Sequence, residues 1–194
     1  MFLLSMTPIN FKANFLKNIS IQKLIDSDKY EPIEAAVVEL DFNDAEDINV
    51  LEKITEKWEK VAHGYAEDIN AYAINSGYGY MYDAKNNHCY ALTTQLDNHK
   101  ILDYNKVQGL ALFVEKYGKF NSLELLQVNP DTNKEQFSRM RPYKNVGSAL
   151  VSYIKDISKK TISVFSSKNA IPFYIKQGFQ KIVLNNERYL IYEL

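Results

Sequence analysis

The stretch Tyr143-Lys144-Asn145-Val146-Gly147-Ser148-Ala149-Leu150 holds the residues whose types and spacing are best suited to chemistry. A turn of small residues runs without a break into a helix, just after a strand-like segment. Backbone N–H groups at a helix start have no intrahelical acceptor, and the helix dipole adds positive potential there, so the pattern builds a cradle for a phosphate or pyrophosphate. Gly147 lets the main chain approach such a group. The amides from Asn145 to Ala149 are the expected donors, and Lys144, Arg141 and Lys160 the expected charges. Taken alone, the stretch is equally an ordinary helix start, because Gly and Ser are common there.

The flanking elements must position this cradle. The N-terminal stretch to about Pro32 reads as an irregular or helical appendage, and Ala35 to Asp41 as a first, short apolar strand. Asn43-Asp44-Ala45-Glu46 offers a cap with an acid three residues on, and Ile48, Leu51, Ile54, Trp58, Val61 and Tyr65 follow at helical spacing. A second helix spans Ala66 to Ile74 and stops at Asn75-Ser76-Gly77; Tyr78, Tyr80 and Tyr82 then alternate as in a strand, before a turn at Ala84 to Asn87. Strands follow at about Cys89 to Gln95, Gln108 to Glu115 and Leu123 to Val128.

The helix opened by the cradle carries Leu150, Tyr153, Ile154 and Ile157 on one face, and Thr161 to Phe165 is a further strand. Ala170 to Gln177 is a short helix ended by Gly178, and strands at about Phe179 to Leu184 and Arg188 to Glu193 close the chain. This order predicts an α/β fold with a mixed sheet and helices on its faces. With 194 residues the chain fits a single domain, an N-terminal extension over 1–33 followed by a core over 35–194.

Three motifs occur in a telling order: Leu123-Glu124-Leu125-Leu126-Gln127-Val128-Asn129-Pro130, the cradle at 143–150, and Ala170-Ile171-Pro172-Phe173-Tyr174-Ile175-Lys176-Gln177-Gly178-Phe179. Together they resemble the GNAT superfamily of N-acetyltransferases. The first is similar to the family's central strand ending in Val-x-Pro, the second to its acyl-CoA pyrophosphate loop, and the third to its Ala-x-x-Phe-Tyr-x-x-x-Gly-Phe helix. The resemblance covers roughly residues 35 to 194 and is firm from 107 onward. It implies a mixed, mainly antiparallel central sheet with helices on both faces, the acyl-CoA N-acyltransferase fold. Pro142 departs from the family's Gln or Arg, a charge that Arg141 can replace. Asn145 stands for its first Gly, and Asn tolerates unusual backbone angles better than most residues. The loop from Asp131 to Arg141 is longer than the family norm.

The resemblance implies transfer of an acetyl group from acetyl-CoA to a primary amine, which attacks the thioester directly in a ternary complex. Tyr174 is then the general acid that protonates the leaving sulfur, against a plain core tyrosine beside Phe173. Glu124 is the general base that frees the amine, directly or through water, against a solvated strand carboxylate; Glu115 is its alternative. The backbone from Leu126 to Val128 would grip the pantetheine arm and hold the oxyanion. The implied cofactor contacts are Leu126, Val128, Lys144, Asn145, Val146, Gly147, Ser148 and Ala149, with Ser167 or Asn169 on the pantetheine arm.

Charge is segregated although it sums to -1. Between Glu31 and Asn70 twelve acids face Lys53, Lys57 and Lys60, whereas Lys134 to Lys160 holds seven bases against Glu135 and Asp156. The acidic half is either a wall that attracts a cationic amine or an ordinary solvated helix face; Tyr78, Tyr80 and Tyr82 are either an aromatic acceptor pocket or a strand face on the core. The balance argues against a nucleic-acid partner, although the basic stretch permits a toxin that acylates aminoacyl-tRNA. A non-catalytic CoA-binding module is the other competing reading, given Pro142, Asn145 and Ser167. The expected acceptor is a small-molecule or protein amine. Cys89 is alone, which fits a reducing compartment, with cytoplasm the default; no leader, anchor or membrane span is expected. His63, His88, His99 and Cys89 lack metal-ligand spacing, so no metal is assigned. The last strand offers an edge for pairing across a homodimer.

Overall fold

In the computed structural model the chain runs β1 (Asn14–Asp26), β2 (Lys29–Leu40), α1 (Ala45–Glu59), α2 (Ala66–Ser76), β3 (Asn87–Thr93), β4 (Val107–Val114), β5 (Phe120–Val128), β6 (Tyr143–Lys144), α3 (Val146–Ile157), β7 (Thr161–Phe165), α4 (Ile171–Lys176), β8 (Gln180–Leu184) and β9 (Glu187–Tyr192). The structure describes residues 13–61, 66–76, 87–116, 118–132, 141–184 and 187–193. The nine strands form one sheet in the order β6-β1-β2-β3-β4-β5-β7-β9-β8. Every pair is antiparallel except β5 with β7. That one parallel pair needs a crossover, which α3 supplies.

Alternation along the central strands sorts side chains onto two faces. Tyr90, Leu92, Ala111, Phe113 and Leu123 pack with Leu150, Tyr153 and Ile154 of α3 and Tyr174 of α4. Cys89, Ala91, Leu110 and Leu112 pack on the other face with Leu51, Ile54 and Trp58 of α1 and Ile69 of α2. The expected α/β class, with a mixed, mainly antiparallel sheet covered on both faces, is therefore observed. Helix α1 starts at Asp44, whose carboxylate accepts from the amides of Glu46 (2.8 Å) and Asp47 (3.1 Å). It ends at Glu59, so Val61 lies beyond the helix and is exposed. None of the described helices is long and apolar enough to cross a membrane.

Two expectations are corrected. From Asn14 on, the stretch before Pro32 is no appendage: β1 is a 13-residue strand that pairs with β2 from Asn14↔Glu39 to Asp26↔Lys29. Register shifts between Phe15 and Lys17 and between Leu24 and Asp26 break its side-chain alternation. Neither period is therefore clean in the sequence, and the partner strand decides the conformation. The last strand is also no free edge, because β9 pairs with β7 on one side and β8 on the other. Tyr78, Tyr80, Tyr82, His63 and the turn at Ala84 to Asn86 lie outside the described residues, as does most of the 131–141 loop.

Candidate active site

The site begins with a break in β5. Leu112 pairs with Leu125 but Phe113 pairs with Leu123, which leaves Glu124 as the extra residue of a bulge. The bulge resets the alternation. Leu123, Leu126 and Val128 thus share the α3 face, whereas Leu125 packs with the α1 cluster. Pairing of β5 with β7 covers only Phe120–Leu123, ending where the bulge begins. Among the described residues, the strand from Glu124 to Val128 therefore has a sheet partner only on the β4 side. Its other edge presents main-chain donors and acceptors to whatever extended group lies along it.

The cradle opens beside that free edge, and a close approach puts it there. Val128 pairs with Gly109, and a Cβ at Gly109 would lie 2.8 Å from Cγ1 of Val146 and 2.9 Å from Cδ1 of Leu150. Only a residue without a side chain lets α3 sit this low on β4. Asn145, the N-cap, has φ 67 and ψ 10, in the left-handed region, and its side chain makes no capping bond. Gly adopts this conformation most readily, and Asn is the next most tolerant residue. The chain thereby turns sharply and directs the amides of Val146, Gly147 and Ser148, the first three helical residues, out of the helix end. Ala149 is a correction: its N–H donates to the Asn145 carbonyl at 2.8 Å and is spent inside the helix.

The third element closes on the same point. A Cβ on Gly147 would lie 3.4 Å from Cζ of Phe173 in α4 and 3.5 Å from Cγ1 of Val128. The start of α3, the end of β5 and α4 thus meet at Gly147. Gln177 at the end of α4 donates from Nε2 to the Ser148 hydroxyl at 3.1 Å, a second tie between α4 and the cradle. Tyr174 is buried, 6% exposed, with its ring edge-on to Phe173 (5.0 Å) and to Phe179 (5.5 Å). Its ring is core, as the plainer expectation had it, and this packing fixes where the phenol points.

The remaining candidates fall in different places. Glu124 is half-buried and its carboxylate accepts from Lys116 Nζ at 2.5 Å. Glu115 is exposed on the β4–β5 connection. Lys144 lies just before the cradle, with Nζ 3.3 Å from the centroid of the Tyr30 ring. Ser167 and Asn169 are exposed in the loop between β7 and α4, where the Ser167 carbonyl accepts from the Ala170 amide at 3.1 Å. Lys160 is a correction: it follows the far end of α3, about 18 Å of helix from the cradle, and its ammonium donates to the Lys116 carbonyl at 2.8 Å. On the acidic helices Glu52, Glu56, Glu67 and Asp68 are exposed.

The sequence also hid a second polar group on the α3 face. His88 Nδ1 and Glu39 Oε1 are 2.6 Å apart, and the His88 ring stacks on Tyr90, itself edge-on to Tyr153. The hydrogen bond to Glu39 holds His88 above the usual histidine range, with burial opposing. Burial pushes the Tyr90 and Tyr153 phenols and the Cys89 thiol up, so none of these three ionises near neutral pH. The sequence analysis missed this group, because Glu39 is brought to His88 from another strand.

No protein-family profile and no curated protein matches the sequence. Solved structures do match the fold. A protein from Desulfovibrio desulfuricans assigned to the GNAT family of acetyltransferases aligns with 82% of this chain and 98% of its own, at 14% identity and a TM-score of 0.51. A protein from Exiguobacterium sp. 255-15 assigned as an acetyltransferase aligns over 83% of this chain and 94% of its own, at 15% identity and a TM-score of 0.51. The chain has the GNAT acyltransferase fold. At such identities the likeness is one of backbone architecture.

Proposed function

We propose that the protein is an acyl-CoA-dependent N-acetyltransferase. The observation that carries this reading is the junction of the free β5 edge with the open amides of α3 at Gly147. A cofactor with a pyrophosphate at one point and an amide-bearing arm running away from it fits that junction. The amides of Val146, Gly147 and Ser148 would take the pyrophosphate, with Lys144 adding charge, and the Leu126–Val128 backbone would hold the pantetheine arm. Ser167 or Asn169, at the end of β7, would meet the same arm.

In the reaction the amine nitrogen attacks the thioester carbonyl, and a backbone N–H near Leu126 to Val128 stabilises the oxyanion. Glu124 takes the proton that frees the amine from its ammonium form. As the tetrahedral adduct collapses the C–S bond breaks, Tyr174 gives its proton to the sulfur, and the nitrogen's surplus proton restores the phenol. The products are an amide and CoA thiol. In the free protein the Glu124 carboxylate is paired with the Lys116 ammonium, which the acceptor amine would meet beside it.

Calorimetry with CoA, followed by acetyl transfer to a panel of small-molecule and protein amines, tests the reading. Binding with transfer to at least one amine is expected. Absence of CoA binding would overturn the proposal, and binding without any transfer or hydrolysis would reduce it to a CoA-binding module. An aminoacyl-tRNA acceptor would declare itself by steep loss of tRNA binding as salt rises.

A further inference from the structure

The hairpin of β1 and β2 is longer than the sheet requires. β3 pairs with β2 only from Ala36 to Leu40, so among the described residues Lys29 to Ala35 have β1 as their only strand partner. The distal half of the hairpin instead holds the four residues that lead into the cradle. Gln22 pairs with Lys144 and Lys23 with Tyr143, the Leu24 amide donates to the Pro142 carbonyl at 2.9 Å, and the Tyr30 hydroxyl donates to the Arg141 carbonyl at 2.9 Å. The Tyr30 ring also lies under the Lys144 ammonium, 3.3 Å from Nζ. Tyr30 thus touches both ends of the segment 141–144.

We infer that Tyr30 is a positioning residue for phosphate binding: the hairpin tip fixes the entry to the cradle, and Tyr30 holds the Lys144 ammonium beside it. This rests on the acyl-CoA reading above. A lysine side chain normally loses considerable rotamer freedom when it meets an anion. An ammonium already resting on an aromatic face has lost much of that freedom before the ligand arrives, and its remaining N–H donors point away from the ring. The hydrogen bond to Arg141 fixes the main chain immediately before Asn145, whose left-handed turn aims the open amides. Pro142 provides no polar side chain where the family pattern has Gln or Arg, and the Tyr30–Lys144 contact places a cation one residue before the helix cap.

The test is a double-mutant cycle read by calorimetry with CoA on wild type, Tyr30→Leu, Lys144→Met and the pair, with Tyr30→Phe alongside. Because Tyr30 acts in part through Lys144 and in part through the Arg141 bond, each single change should weaken CoA about tenfold and the pair about thirtyfold relative to wild type, not about a hundredfold. Tyr30→Phe keeps the ring and loses only the bond to Arg141, so about a threefold loss is expected. Full multiplicativity in the pair, or unchanged affinity in Tyr30→Leu, would overturn the inference and leave the acyl-CoA reading standing; a wild type that binds no CoA would overturn both. Should Tyr30→Leu fail to fold, hydrogen exchange on the wild type decides. CoA should slow exchange at the Leu24 and Lys144 amides, and no added protection there would count against the hairpin's role.

Discussion

Tyr174 combines a buried ring with a phenol that the proposed chemistry requires, and a single oxygen atom separates the two contributions. Tyr174→Phe keeps the contacts with Phe173 and Phe179, so the fold should hold. Loss of a general acid should lower kcat by about 10²-fold or more while acetyl-CoA binding is unchanged. Equal loss of both would show that the ring, not the proton, matters. Asn145 gives a second test, because its φ of 67 is penalised in proportion to the bulk at Cβ. Asn145→Gly should be tolerated in stability and in CoA affinity. Asn145→Val should cost about 1–3 kcal/mol and weaken CoA, as thermal denaturation and calorimetry would report. The residue types at both positions were legible in the sequence: the aromatic pair in its helix motif, and Asn as a substitute for Gly. The partner of Glu124 was not, because Lys116 is brought to it by the β4–β5 connection.

Between elements, the decisive distance is that from α3 to β4. Gly109 meets Val146 and Leu150 at separations too short for any Cβ, and Val146 is the first residue of the helix whose amides form the cradle. Gly109→Ala should therefore do two things together. Overpacking should cost about 1–3 kcal/mol in urea denaturation, and the displaced helix start should bind CoA more weakly. Normal affinity in a destabilised protein would separate the packing role from the cradle. The sequence showed a strand at 108–115 and a helix after 145, yet it carried no mark of their contact. The β5 bulge was equally hidden, since Leu123-Glu124-Leu125-Leu126 gives no alternation from which a break is visible. It is the register against β4 that identifies Glu124 as the extra residue.

For the molecule as a whole, two groups on opposite faces of the sheet tie stability to pH in the same direction. Burial pushes Asp47 up from 3.8 to about 6, with the carboxylates of Asp44 and Asp41 adding to the rise and the Asp41 amide opposing it. His88 is held above its ordinary 6.5 by its hydrogen bond to Glu39. In both cases the native state binds the proton more tightly than the unfolded chain does, so the stabilisation is present at low pH and is lost as pH rises through the folded-state pKa. For Asp47 the window runs from about 4 to about 6, with a swing on the order of 2–3 kcal/mol; for His88 it opens at 6.5 and extends above. The urea midpoint should fall between pH 5 and pH 8. Asp47→Asn should flatten the lower part of that decline and His88→Gln the upper part; an unchanged profile in both would refute the assignment. The charge segregation was plain in the sequence, but the acidic residue that burial sets apart, Asp47, was indistinguishable from its exposed neighbours.

By itself the sequence determined what closes within a few residues: a helix cap within Asn43–Glu46, which the structure places at Asp44, the apolar stripes of α1 and α3, the small-residue turn at 145–148 and the short aromatic helix after Ala170. Helices and turns satisfy their main-chain groups locally, so side-chain pattern alone specifies them. The order of those motifs was enough to indicate the fold class. Only the tertiary structure decided that 14–26 is a strand, that β5 parts from β7 at Leu123, that α3 rests on Gly109, that Lys160 is remote from the cradle and that Tyr30 underlies Lys144. Each of these depends on a partner distant in the chain, because a strand's hydrogen bonds and a buried charge's neighbours are supplied by other elements. The anion cradle was written locally, whereas the free edge beside it, which turns an anion site into a candidate acyl-transfer site, comes from the register of the sheet.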